Sequence, residues 1–166
     1  MMNDTKTGNR LEVSAQGDRE IVGSRVFDAP REVVFKTMMD PELIPEWWVR
    51  TSVDVMDVRV GGSWRFVSVG SDGSEQAFRG TYREITPHER VVQTFEWEGM
   101  PGYVSVETLV LEDLGDDRTR VTVTSIFHTA EERDGMLGSG MEEGWSELYD
   151  RLEELLASRA SKPAPA

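Results

Sequence analysis

A chain of 166 residues with 31 acids against 18 bases, a formal charge of −13 and 38% hydrophobic residues is about one domain long and able to bury roughly two-thirds of its unfolded surface. The bases are scattered rather than clustered, which argues against a nucleic-acid partner, because binding to phosphate backbones draws on grouped Lys and Arg. No apolar run approaches the ~20 residues of a membrane span. The opening "MMNDTKTGNRLEVSAQGDRE" lacks the apolar core of a secretion signal, and cysteine is absent, so a cytoplasmic location is expected.

In chain order, residues 1–18 are polar and read as a flexible tail. "EIVGSRVF" reads as a strand. "DAPREVVFKTMM" then places Asp28 and Pro30 at a helix start, with Val34 and Met38 one turn apart. "DPELIPEWWVR" adds a second short helical segment ending on adjacent Trp47 and Trp48. From residue 52 to 128 the apolar period becomes two through "SVDVMDVRV", "GSWRFVSV", "QAFRGTYREI", "RVVQTFEWE", "VSVETLVLEDL" and "RTRVTVTSIFH". The links "GG", "GSDGSE", "TPHE" and "GDD" are too short for crossover helices, so these strands pair largely antiparallel.

A glycine-rich link, "DGMLGSG", leads into "MEEGWSELYDRLEELLAS". There Met141, Trp145, Leu148, Leu152 and Leu155 fall at steps of four, three, four and three, one face of a helix over 140–158. Glu143, Glu147, Asp150, Glu153 and Glu154 occupy the other face. Ser139 and Glu142 have capping-box spacing. The last eight residues, "RASKPAPA", read as a second tail, which leaves one domain over 19–158.

The segments "FDAPREVVFKTMMDPELIPEWW", "VGGSWRF", "RGTYREITPHERVVQTFEW", "RTRVTVTSIF" and "GMEEGWSELYDRLEELL" resemble the bacterial START-like (SRPBCC) superfamily. Within it they resemble the branch related to the activator of heat-shock protein 90 ATPase. The resemblance implies an α+β helix-grip fold. In it a curved six- to seven-stranded antiparallel sheet wraps around a long C-terminal helix, two short helices follow the first strand, and an apolar cavity lies between sheet and helix.

If that arrangement holds, strand parity nominates its lining. Trp64 and Phe66 share one face, as do Phe78, Gly80 and Tyr82, and Val121, Val123, Ser125 and Phe127. Whether Phe95 and Trp97 or Val92 and Thr94 face inward is open, because a one-residue slip reverses the strand. The candidate ligand-binding residues are Trp48, Trp64, Phe66, Tyr82, Ser125, Phe127, His128, Met141 and Trp145. Tyr82, Ser125 and His128 supply the polar groups that orient a ligand. No catalytic motif is present, and two histidines forty residues apart without a cysteine leave no metal site, so neither metal nor other cofactor is expected.

The leading expectation is a non-catalytic domain, monomeric or homodimeric, that binds a small apolar or amphipathic molecule such as a lipid, an aromatic or a polyketide-like metabolite. Two alternatives stand beside it. One is a chaperone-associated interaction module of the heat-shock protein 90 activator type, with a role in stress response, although the full activator carries an additional N-terminal domain for which this chain leaves no room. The other is a cavity enzyme of cyclase, aromatase or hydrolase type.

Overall fold

A computed structural model describes residues 9–160; the parts of the two expected tails at 1–8 and 161–166 lie outside the described residues. Eight strands form one sheet, β1 (Glu12–Gln16), β2 (Glu20–Phe27), β3 (Thr51–Met56), β4 (Ser63–Val69), β5 (Glu75–Thr86), β6 (Arg90–Trp97), β7 (Val104–Gly115) and β8 (Arg118–Ile126). Their order is β1-β2-β8-β7-β6-β5-β4-β3 and every pairing is antiparallel. Between β2 and β3 lie α1 (Arg31–Met39) and α2 (Ile44–Trp47), and after β8 come α3 (Ala130–Leu137) and α4 (Met141–Ala160). The chain thus carries α1 and α2 from β2 to the far edge of the sheet and returns by hairpins to pair β8 with β2. This is the helix-grip arrangement. Among the described residues no helix is long and apolar enough to cross a membrane.

Two expectations about the ends are corrected. Glu12–Gln16, expected within the first tail, is an edge strand paired with β2 from Glu12 opposite Ser24 to Gln16 opposite Glu20. Four of its five side chains are exposed, so it is held by backbone bonds and carries no alternating apolar signal. At the other end the helix runs to Ala160, two residues into the second tail.

The expected glycine-rich link is also corrected. Its first four residues belong to α3, whose N-cap Thr129 accepts a hydrogen bond from the Glu132 backbone N–H at 3.1 Å. Buried Arg133 then donates through Nη1 to the carbonyls of Gln16, Gly17 and Glu20 at 3.3, 3.1 and 3.0 Å, clamping the β1–β2 turn. Ser139 does not cap α4. Its hydroxyl donates back to the Met136 carbonyl at 2.6 Å, and the turn into α4 is made by Gly140 at φ +85°, a conformation that favours glycine.

Helix α4 covers the concave face of the sheet. Tyr149, Leu152 and Leu156 are its buried line, with Trp145 half-buried one turn before. The expected stripe of Met141, Leu148 and Leu155 flanks that line and is only half-buried. Tyr149 and Leu156 were missed because a helix lying in a curved sheet buries a wider arc than the narrow seam that spacing describes. Two acids of the other face reach back to the sheet. Arg25 of β2, its side chain 4% exposed, donates to Asp150 Oδ1 at 2.7 Å and Glu153 Oε1 at 3.1 Å and lies over the Phe27 ring at 5.4 Å.

Leu152→Ala is expected to cost about 2–5 kcal/mol, the range for emptying a buried leucine site, whereas Leu155→Ala at the half-buried flank costs clearly less. Urea unfolding of the two variants checks the order; equal losses would contradict the buried line described here.

Candidate functional site

The strand register fixes what faces the concave side. Across β2, β8, β7 and β6, Ile21 opposes Ser125, Ser125 opposes Glu107 and Glu107 opposes Gln93, and Gln93 opposes Tyr82 of β5. Directly opposed residues project to the same face. The neighbouring row is apolar, with Val123, Leu109 and Val91 in succession. A polar row therefore crosses the middle of an otherwise apolar floor.

Glu107, half-buried at its surface but surrounded by packed atoms, is its centre. The Ser125 hydroxyl and the Gln93 side-chain amide donate to its carboxyl, the latter to Oε1 at 3.5 Å. Burial pushes the Glu107 carboxyl up to about 7, and those two hydrogen bonds offset only part of the shift. None of the ion pairs formed by arginine or lysine among the described residues includes Glu107. Tyr149 approaches from α4: burial raises its hydroxyl well above the usual range, the Trp145 indole hydrogen-bonded to it works the other way, and the charge of Glu107 raises it further. Burial, with help from Asp57, likewise raises Tyr82.

Two indoles stand on either side of the polar row, each seated on a strand glycine. A Cβ on Gly23 of β2 would run into the six-membered ring of Trp145, and one on Gly80 of β5 would run into Trp64 Nε1 and the Thr94 carbonyl. Both glycines are there because no side chain fits. Trp64 is 2% exposed, and its Nε1 is buried without a hydrogen-bond partner. A continuous series of ring contacts links the two sides. Trp145 meets Tyr149 at 5.9 Å, Tyr149 meets Trp47 at 6.4 Å, and Trp47 meets Trp48 at 5.9 Å. Trp48 meets Phe66 at 5.5 Å, Phe66 meets Trp64 at 4.9 Å, and Trp64 meets Phe95 at 5.8 Å.

Of the residues nominated from sequence, Trp48, Trp64 and Phe66 form one aromatic wall. Tyr82 and Ser125 lie at the ends of the polar row, and Trp145 forms the opposite wall. Phe127 is buried beyond Ser125 on the same face, and Met141 is half-buried at the start of α4. His128 is corrected: it follows the end of β8, is exposed, and belongs to the turn before α3, because the inward parity ends on Phe127. The open question about β6 is settled by register. Phe78 opposes Trp97, so Val91, Gln93, Phe95 and Trp97 face inward. Trp97, at the strand end, is 36% exposed and donates Nε1–H to Gln76 Oε1 at 2.7 Å.

Glu107, Gln93, Phe95 and Tyr149 were not nominated. A signal for Glu107 existed: it shares parity with Leu109 and Leu111. The alternate positions Val106, Thr108 and Val110 are as strand-prone as the leucines, however, so parity alone did not identify the buried face. Two clefts open elsewhere. One of about 460 Å³ is lined by Phe35, Met39, Met56, Val58 and His88 among others, and one of about 320 Å³ lies beside Arg65 and Glu98. Both are open to solvent, and in the second the arginine is already held by Glu98 at 2.8 and 2.9 Å. Neither brings a carboxyl without a cationic partner to an apolar surface, as the concave face does.

A raised carboxyl weakens the fold as pH rises. The native state retains a proton that the unfolded chain releases near its ordinary value of 4.5, so stability falls between about pH 4.5 and about 7, by up to about 3 kcal/mol. Glu107→Gln removes this dependence while keeping the shape. Denaturant unfolding should show the variant gaining on the parent as pH climbs through that window and holding the gain above it; a constant difference across the window would refute the buried-carboxyl description.

Residues 28–157 match the family model described as activator of Hsp90 ATPase homolog 1-like protein. No curated protein sequence matches the chain. Among solved structures, a crystal structure of a Rhodobacter sphaeroides protein is similar with TM-score 0.80 and 22% identity, covering 89% of this chain and 98% of that one. The solution structure of an Arthrobacter aurescens protein gives 0.80 and 24%, with 89% and 91% covered. A crystal structure of a Mycobacterium smegmatis protein gives 0.79 and 20%, with 87% and 95% covered. At these identities the structural likeness is one of fold, the same helix-grip arrangement of sheet and C-terminal helix. With the family model spanning residues 28–157 of 166, the chain belongs to the activator of Hsp90 ATPase homolog 1-like family.

Proposed function

We propose that the protein binds a small amphipathic molecule, of the size of a lipid chain or an aromatic or polyketide-like metabolite, between the concave face of the sheet and α4. The observation that carries this reading is the polar row Ser125, Glu107 and Gln93 set between two aromatic walls. A carboxyl placed in an apolar surrounding with no cation beside it costs stability that an apolar residue of similar size would not. Such a cost is typical of positions kept for function. The apolar part of the ligand packs against Trp64, Phe95 and Trp145, where burial contributes roughly 25 cal/mol per Å². Its polar end meets the row, and the buried Trp64 Nε1 offers a further donor. Such a site binds and orients a ligand.

The test is a panel of apolar and amphipathic small molecules followed by tryptophan emission and by melting temperature on the same samples. A ligand is expected to shift the emission and raise the melting temperature, and Phe95→Ala to weaken its binding by ~1–3 kcal/mol. A panel that moves neither signal would favour the chaperone-interaction reading, whose support is the family's name.

A further inference from the structure

Resting on the cavity reading above, we infer that the molecule this protein binds carries an organic cation, an alkyl- or aryl-ammonium group that pairs with Glu107 while its apolar body lies between Trp64 and Trp145. The argument begins with what Glu107 lacks. A carboxylate offers about four lone-pair directions, and Ser125 and Gln93 supply the two donors seen here, one of them long at 3.5 Å. Neither donor is charged, so the carboxyl is left with acceptor capacity and no counter-charge.

Among the described residues, no neighbouring element provides one. From β6 and β8 come the amide of Gln93 and the hydroxyl of Ser125. From β5 comes Tyr82, and from α4 Tyr149, both held neutral by burial. Arg25, the basic residue that β2 turns to this face, is already engaged by Asp150 at 2.7 Å and Glu153 at 3.1 Å and rests over Phe27. Its charge is satisfied by two acids from α4 before it can serve Glu107.

The surroundings select the sign of the missing partner. The rings of Trp145, Tyr149, Phe95 and Trp64 lie in the two walls beside the row, and aromatic rings attract a cation. A carboxylate or phosphate ligand would meet Glu107 and no free cation. The chain as a whole carries −13, a field that draws cations in and turns anions away. An ammonium group in contact with Glu107 favours its ionised form and so displaces the proton that burial holds there near neutrality. Binding of the cation therefore strengthens as pH rises through about 7, whereas a neutral ligand accepting a hydrogen bond from protonated Glu107 would weaken over the same interval.

Isothermal calorimetry with three matched probes tests the inference: naphthylethylammonium, naphthylethanol and naphthylacetate, each titrated into the full-length protein at about pH 5.5 and about pH 8. The ammonium is expected to bind about tenfold or more tighter than the alcohol at the higher pH, to lose that advantage at the lower, and to release a proton on binding, seen as a dependence of heat on buffer. Glu107→Gln should abolish the ammonium's advantage over the alcohol at the higher pH. Because that variant alters the net charge by one, general attraction by the acidic surface would survive the substitution and overturn the proposal. Should the alcohol match the ammonium at both pH values, or bind better at the lower, the cation is wrong while the cavity stands. Should none of the three bind, both readings fall.

Discussion

A sheet of eight strands spaced at ~4.8 Å is roughly 34 Å wide if laid flat, and a single helix with its side chains covers only ~10–12 Å of that. Everything on the concave side follows from this mismatch. Curling the sheet brings its edges toward α4, but Gly23 and Gly80 mark where curvature alone does not close the gap and an indole is laid directly on the backbone. The two glycine-bearing strands are separated by β8, β7 and β6, so about 19 Å of floor lies between them. Aromatic side chains bridge that distance better than aliphatic ones because each ring brings 150–250 Å² of contact on few rotatable bonds.

The adjacent tryptophans at the end of α2 belong to the same solution. Trp47 is buried against Tyr149 and donates Nε1–H to the Thr37 carbonyl at 3.3 Å, tying α2 to α1. Trp48, the next residue, turns to Phe66 and remains half-buried. One indole locks the short helices together and the other closes the aromatic wall on the β4 side, which a single tryptophan could not do because successive side chains leave a helix end in different directions.

Two ionisable groups on the concave face show opposite treatment. Arg25 is saturated: two carboxylates reach it from α4 and an aromatic ring lies beneath it, so its burial joins sheet to helix. Glu107, on the same face, is met only by uncharged donors. One ionisable group thus joins sheet to helix, and the other is left without a counter-charge.

The architecture was legible in the residues because the underlying signals are local. Period-two runs separated by turn residues, a three-four apolar spacing after residue 140, and the motifs before and after "EWW" each express the geometry of a single element. The edge strand Glu12–Gln16 escaped because four of its five side chains are exposed and leave no alternating apolar signal, and α3 escaped because Gly135 and Gly138 made a helix end look like a connector. The site was legible only in outline. Trp64, Phe66 and Tyr82 followed from parity once the fold was granted, yet Glu107 did not, since both faces of "VSVETLVLEDL" are strand-like. Its meaning depends on Ser125, Gln93 and Tyr149, distant in sequence and joined by register and helix packing. By itself the sequence determined most of the elements and that the strands pair largely antiparallel, because those choices rest on near neighbours. Only the tertiary structure decided which carboxyl is desolvated without a counter-ion, because desolvation is a property of everything packed around a group.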